Sequence, residues 1–382
     1  MKKIYLDHSA TTPVDPEVVD AMLPYLREEF GNPSSAHGYG RSAKIAMETS
    51  REKIAALINA RPSEIVFTGS GSEADNMAIL GAAFTSTSSR RHVISNAIEH
   101  HAVLHSVERL ADKGFNVTLV ANDGFGMIHP ESVAEAIRPD TFLLSVMHAN
   151  NEIGTINPIA EMGGLAREKG VIFHVDAVQT VGKIPIDVNS MQVDLLAASA
   201  HKMYGPKGIG FLYVRQGVRL DPLVVGGSQE RGHRAGTENI AGIVGFGKAA
   251  DIARARLQAD QEKLTQLHTE LLFELKRVFP DLILNGHPSA RLPGHLNVSI
   301  GNVAGDELLM MLDLRGIAIS TGSACTSGSI QISHVLSGVQ ASSGVARGAI
   351  RISMGRSTNR EDFSFIVSSI KSCVEKMTEA PT

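Results

Sequence analysis

The sequence predicts an α/β protein: a large domain built on a mostly parallel seven-stranded sheet, with a smaller α+β domain beside it. Short β-branched runs alternate with helical patterns from about residue 64 to residue 214, the signature of βαβ units. From about 242 to 278 helix breakers are few, which reads as long helices leading out of the sheet domain. A chain of 382 residues exceeds one ordinary domain and fits two.

In chain order, the strand candidates of the large domain are residues 65–67, 92–94, 117–120, 142–146, 171–175, 195–198 and 210–214, with segments such as 159–169 reading as helices between them. After the long helical stretch, 296–300 and 349–353 alternate in polarity, as strands with one solvated face do. There is no internal repeat and no low-complexity tract.

Composition removes several function classes. With 43% hydrophobic and 20% charged residues the chain is neither disordered nor fibrous, and a net charge of -4 offers no electrostatic reason to expect nucleic acid. The opening residues hold two lysines but no apolar run of signal-peptide length, and no later stretch would span a bilayer, so a cytoplasmic, non-membrane protein is expected. Two cysteines, Cys325 and Cys373, exclude a disulfide scaffold and a four-cysteine metal site within one chain.

Four features stand where strands of the large domain end, the edge at which open α/β sheets bind ligands. The first, residues 68–73, leads from a strand into a helix, so that Gly71 and Ser72 could cradle a phosphate; a serine-capped glycine turn would also account for it. The second is Asp176, with Gln179 a helical turn on. A carboxylate there wants a cation such as a protonated pyridine nitrogen, or else caps the next helix. Lys202, in Ser199-Ala200-His201-Lys202, follows a strand that should be buried, and is either snorkelling or held neutral for imine chemistry. Ser199 and His201 beside it offer phosphate contacts. The fourth is His100, able to lie on an aromatic cofactor or to move protons. His101 and His105 have the i, i+4 spacing of a metal pair, but the sequence offers no third ligand nearby.

The two cysteines separate by context. Cys325 lies in residues 320–329, a run of small polar residues, and reads as an accessible loop thiol suited to carrying a group. Cys373 falls among Phe365, Ile366, Ile370, Val374 and Met377 at helical spacing and reads as helix packing. Arg351 could bind a carboxylate through two parallel hydrogen bonds, although an ordinary surface ion pair explains its strand position at least as well.

Taken in order, the segments resemble the cysteine desulfurases of the nitrogen-fixation and iron-sulfur-cluster type, members of the class-V aminotransferase family with the aspartate aminotransferase-like fold of pyridoxal phosphate type I. The resemblance runs through residues 5–13, 30–35, 99–100, 148–155, His174-Val175-Asp176-Ala177-Val178-Gln179, 199–202, 226–232, 236–239 and Ser323-Ala324-Cys325-Thr326-Ser327. It implies that Lys202 holds pyridoxal 5'-phosphate as an imine, that Asp176 pairs with the pyridine nitrogen and that His100 stacks on the ring. Asn151 and Gln179 would partner the phenolic oxygen. Gly71, Ser72, Ser199 and His201 would hold the phosphate, with Thr237 reaching in from the second subunit of a homodimer. Arg351 and Asn32 would hold the carboxylate of L-cysteine.

The same resemblance implies that sulfur moves to Cys325 as a persulfide, leaves L-alanine behind, and passes to an iron-sulfur scaffold or another acceptor protein. In such a complex Cys325 is also a candidate transient iron-sulfur ligand. The expected boundaries are 16–255 for the large domain, with 1–15 and 256–382 forming the small domain that carries the catalytic loop at about 320–332. Rival readings are a selenocysteine lyase, an aminotransferase of the same fold, and a sulfur-transfer scaffold without cofactor.

Overall fold

The computed structural model describes residues 2–86, 89–301, 303–321, 333–339 and 341–379. Cys325 and the rest of the expected catalytic loop at 322–332 lie outside the described residues. In chain order the strands are β1 (Ile4–Tyr5), β2 (Ile65–Thr68), β3 (His92–Asn96), β4 (Asn116–Val120), β5 (Thr141–Met147) and β6 (Ile172–Asp176). They continue with β7 (Leu195–Ser199), β8 (Gly210–Val214), β9 (Ile283–Leu284), β10 (His295–Ser299), β11 (Ile317–Ala318) and β12 (Ala349–Ser353).

The seven strands expected from the β-branched runs all form, and they join one sheet in the order β2-β8-β7-β6-β5-β3-β4. Only β8 runs against its neighbours. Every residue of β5, β7 and β8 is buried, because helices cover both faces. Alternate residues serve opposite layers: Leu196 and Ala198 pack with Ile54, Ile243 and Phe246, whereas Leu195 and Ala197 pack with Ala74, Met77 and Ala78 of the helix Gly71–Thr85. Fully burying such a side chain stabilises by about 1.5–3 kcal/mol. Because the other six strands point one way, the turns bearing Gly71, His100, Asn151 and Lys202, together with the end residue Asp176, all emerge at one edge.

The stretch expected as several helices is one, Ile240–Val278. No glycine or proline interrupts it after Gly247. Its first part buries Ile243, Phe246 and Ala250 in the large core, and its last turns bury Leu267, Leu271 and Leu275 in a second core. That second core gathers β9, β10 and β12 as an antiparallel sheet, and the parallel pair β1–β11. Cys373 is fully buried there on the helix Phe363–Glu379, as its spacing predicts, while Phe365 is exposed and Phe363 takes the buried place.

One expectation fails. β10 and β12 have no solvated face: every residue of both is buried. Their polar side chains turn instead toward the large domain, where His295 Nε2 and Asn297 Nδ2 both donate to the Glu152 carbonyl, at 2.8 and 2.9 Å. Alternation therefore marks a polar interface between two layers. Among the described residues no helix is long and apolar enough to cross a membrane.

Candidate active site

A cavity of about 530 Å³ opens at the edge where the strands end, lined by Gly71, Ser72, His100, Asn151, Asp176, Gln179, Ser199, His201, Lys202 and Arg351 among others. Ten of the expected site residues therefore converge. Asn32 and Thr237 are exposed and do not line it, and the Asn32 side chain accepts the Ser34 N–H at 2.9 Å.

Gly71 opens the helix Gly71–Thr85, whose cap is Ser70: its hydroxyl accepts the Glu73 N–H at 3.1 Å. The first N–H groups of a helix have no partner within it, so this end favours an anion. A Cβ at Gly71 would fall 2.6 Å from Val178 Cγ2 and 3.6 Å from Ser199 Cβ, filling the cradle between them. His201 Nδ1 lies 3.1 Å from Thr11 Oγ1. Burial, reinforced by Lys202, Lys207 and Lys183, lowers its imidazole to about 4, so it meets a ligand as a neutral ring.

Asp176, 6% exposed, ends β6 and accepts the Val178 N–H at 2.9 Å. Burial pushes its carboxyl up, while His100, the Val178 N–H and Lys202 draw it down. A carboxylate so placed gains from a further cation in the cavity. His100 caps the helix His101–Asp112, its Nδ1 accepting the Ala102 N–H at 3.1 Å, which leaves the proton of the neutral ring on Nε2. Burial keeps that ring below its ordinary value, and Asp176 opposes the shift.

Lys202 Nζ donates to the carbonyls of Ser9 and Ala10, at 2.7 and 2.8 Å. Gln179 donates to the same Ser9 carbonyl at 3.0 Å and accepts from Lys183 Nζ at 3.0 Å. The reading of Arg351 as a surface ion pair is overturned, since the residue is 3% exposed. Its guanidinium donates to Asp7 Oδ1 at 2.8 Å and to the Asn151 carbonyl at 3.0 Å. The roles of Ser9, Ala10 and Asp7 escaped the sequence: two act through backbone oxygens that no side chain advertises, and Lys207 on the cavity rim carried only a weak signal, its place after Lys202.

The aminotransferase class-V family model matches residues 4–365. The chain belongs to the class-V aminotransferase family. It is 47% identical over 376 residues to a protein named cysteine desulfurase IscS from Dictyoglomus turgidum, covering 98% of this chain and 95% of that one. A solved structure of a NifS-like protein shares 37% identity and superposes with a TM-score of 0.93, covering 98% of this chain and 100% of that one. A structure of SspA in complex with cysteine shares 39% identity, with a TM-score of 0.81 over 93% of this chain and 99% of that one. Membership of the class-V family implies use of pyridoxal phosphate. The residues present fit it: a cradle at a helix N-terminus, a buried acid that gains from a cation, and an amine within the same cavity.

Proposed function

We propose that the chain is a cysteine desulfurase, a pyridoxal phosphate enzyme that takes sulfur from free L-cysteine, leaves L-alanine and hands the sulfur on through Cys325. The observation that carries this reading is the convergence of Lys202, Asp176, His100 and Arg351 on one cavity. When bound, pyridoxal phosphate withdraws electrons from the α-carbon of a joined amino acid, so that the α-proton can leave.

The chain's residues supply the rest. Gly71, Ser72, Ser199 and His201 hold the phosphate, and Thr237 of a second subunit completes that cradle in a homodimer. Asp176 would keep a proton on the ring nitrogen, His100 would hold the ring, and Asn151 and Gln179 would serve its phenolic oxygen. Lys202 anchors the cofactor, and its amine, once released, takes the α-proton of the substrate. Arg351 grips the substrate carboxylate, with Asn32 as its second holder. The Cys325 thiolate then attacks the substrate sulfur. A sulfur–sulfur bond forms, the electrons of the carbon–sulfur bond stay with the substrate, and alanine results when the β-carbon takes a proton and the α-carbon regains the one Lys202 removed.

The persulfide passes to an acceptor thiol by the logic of disulfide exchange, with an iron-sulfur scaffold as the acceptor and the cytoplasm as the setting. In that complex Cys325 would be a transient iron-sulfur ligand. Residues 1–15 and 256–382 would form the small domain that presents this thiol to the large domain at 16–255. The test compares wild-type and Cys325→Ala proteins given L-cysteine and a reductant. Equal yields of alanine and sulfide from the wild type alone are expected, with cofactor retained by both. A variant as active as the wild type would remove Cys325 from the reaction.

A further inference from the structure

A second buried carboxylate that the proposed chemistry does not use lines the cavity beside Asp176. Asp75, one turn into the helix Gly71–Thr85, is 1% exposed. One ligand atom each from Asp75, Asp176 and His100 lie within 4.8 Å of one another. Asp75 Oδ1 is 3.4 Å from His174 Nε2, and both atoms are buried without a hydrogen-bond partner, each being the other's close polar neighbour. On its other side, His174 Nδ1 lies 2.9 Å from Ser145 Oγ, the two residues being directly paired between β6 and β5. Asp75, His174 and Ser145 are all buried.

Two carboxylates this close and this buried disfavour ionising together, so one keeps a proton. Asp176 has His100, Lys202 and the Val178 N–H to favour its charge. Asp75 has no such help: burial drives its carboxyl well up, and Asp176 and Glu99 add to the effect. Glu99, buried with Oε1 on the Met147 N–H, is pushed the same way by its own burial. An ion pair with His174 is disfavoured too, because burial lowers that imidazole to about 3.

We propose that Asp75 is a positioning residue, a protonated carboxyl that donates to His174 Nε2 while His174 Nδ1–H donates to Ser145, so that Asp176 alone presents negative charge to the ring nitrogen of the cofactor. The proposal rests on the pyridoxal phosphate reading above. Its proton has somewhere to go only while His174 accepts it. Without that acceptor the nearest one is Asp176 itself, and a hydrogen bond there would compete with the ring nitrogen.

The test uses wild-type, Asp75→Asn, His174→Leu and Asp75→Leu/His174→Leu proteins. It measures pyridoxal phosphate affinity for each stripped protein and the pH midpoint of the bound cofactor's visible band. Asp75→Asn keeps a neutral donor on His174, so affinity within about twofold of wild type and an unmoved midpoint are expected. His174→Leu should bind about tenfold more weakly with a shifted midpoint, and the double variant, apolar on both sides, should recover to within about threefold. An Asp75→Asn protein that fails to fold or loses tenfold in affinity overturns the proposal, as does a double variant no better than His174→Leu. A wild type that takes up no cofactor sinks the cofactor reading and this proposal together. A wild type that binds it beside a deficient Asp75→Asn sinks this proposal alone.

Discussion

Asp7 and Arg351, separated by 344 positions in the chain, meet at 2.8 Å on the wall of the cavity. The carboxylate neutralises a guanidinium that is 3% exposed, and Arg351 Nε is left buried without a hydrogen-bond partner. Asp7 thus holds the fork in place without using all of its donors. Replacing Arg351 by lysine keeps the charge and discards the planar fork. The expected result is a KM for L-cysteine raised about tenfold or more, from losing hydrogen bonds to a charged group worth about 1.5–3 kcal/mol. Steady-state kinetics read this alongside the visible band, which should persist; loss of the band would assign Arg351 to the cofactor instead.

Lys202 bears on chemistry more than on folding. Lys202→Ala should lower alanine formation by at least about 10³-fold, the upper range for a lost proton-transfer group. Its cofactor should wash out on gel filtration. The melting temperature should stay within a few degrees of wild type, since the lysine's amine donates to two backbone carbonyls at the cavity wall. An active Lys202→Ala would remove the lysine from the mechanism.

Stability is concentrated elsewhere, in Arg51 and Glu230. Arg51 is 1% exposed, and its guanidinium holds both Glu230 oxygens, at 2.7 and 2.8 Å, while lying 4.6 Å from the Phe67 ring centre. Glu230 also accepts the Phe67 N–H at 2.8 Å, which ties the segment before Thr237 to β2. Glu230→Gln leaves the buried cation with only Glu48, at 3.2 Å, as a charged partner and should cost about 3 kcal/mol in urea unfolding. Replacing both residues by apolar ones of like volume should cost far less. Equal losses would show that the pair itself, rather than an unpaired charge, sets the penalty.

Acid sensitivity has an identifiable source in His148. It is 4% exposed, and burial alone lowers its imidazole to about 4, so the native state keeps it neutral. An unfolded chain binds a proton there below about pH 6.5, and the folded chain does not. Its contribution is therefore intact above that pH and is lost as pH falls toward 4, by up to about 1.4 kcal/mol per unit. His148→Asn lacks this term, while the other titrating groups are shared. The stability of wild type relative to His148→Asn should fall by about 2–3 kcal/mol between pH 7 and 4.5. A constant difference across that range would mean that His148 titrates normally.

Much of this was legible before any coordinates. The β-branched runs located all seven sheet strands, since strands buried on both faces need continuous apolar sequence, and the half-exposed edge strand β4 keeps the β-branched pattern too. Asp176 and Lys202 were visible as charges following apolar strands. What stayed hidden depended on distant partners. The alternation of β10 and β12 reads equally as polar-to-water or polar-to-Glu152, and only the fold chooses. Arg351 looked like a surface residue because Asp7 and Asn151 are far away in sequence. Asp75 gave no sign at all, since its neighbours Asp176 and His174 lie about a hundred residues on.

The pairing of β1 with β11, Ile4 with Ile317, sets an order on biosynthesis. Residues 65–214 can form their sheet as they leave the ribosome, but Ile4 and Tyr5, the first strand in the chain, must wait for the last quarter of the protein to pair. Ser9 and Ala10, whose carbonyls receive Lys202, follow a few residues beyond that waiting strand, with Leu6 tied to Ala318 and Ser353. A nascent chain therefore has both its lysine and these carbonyls long before the strand that precedes the carbonyls can pair. This wall of the cavity is complete only when the end of the chain has folded back onto its start.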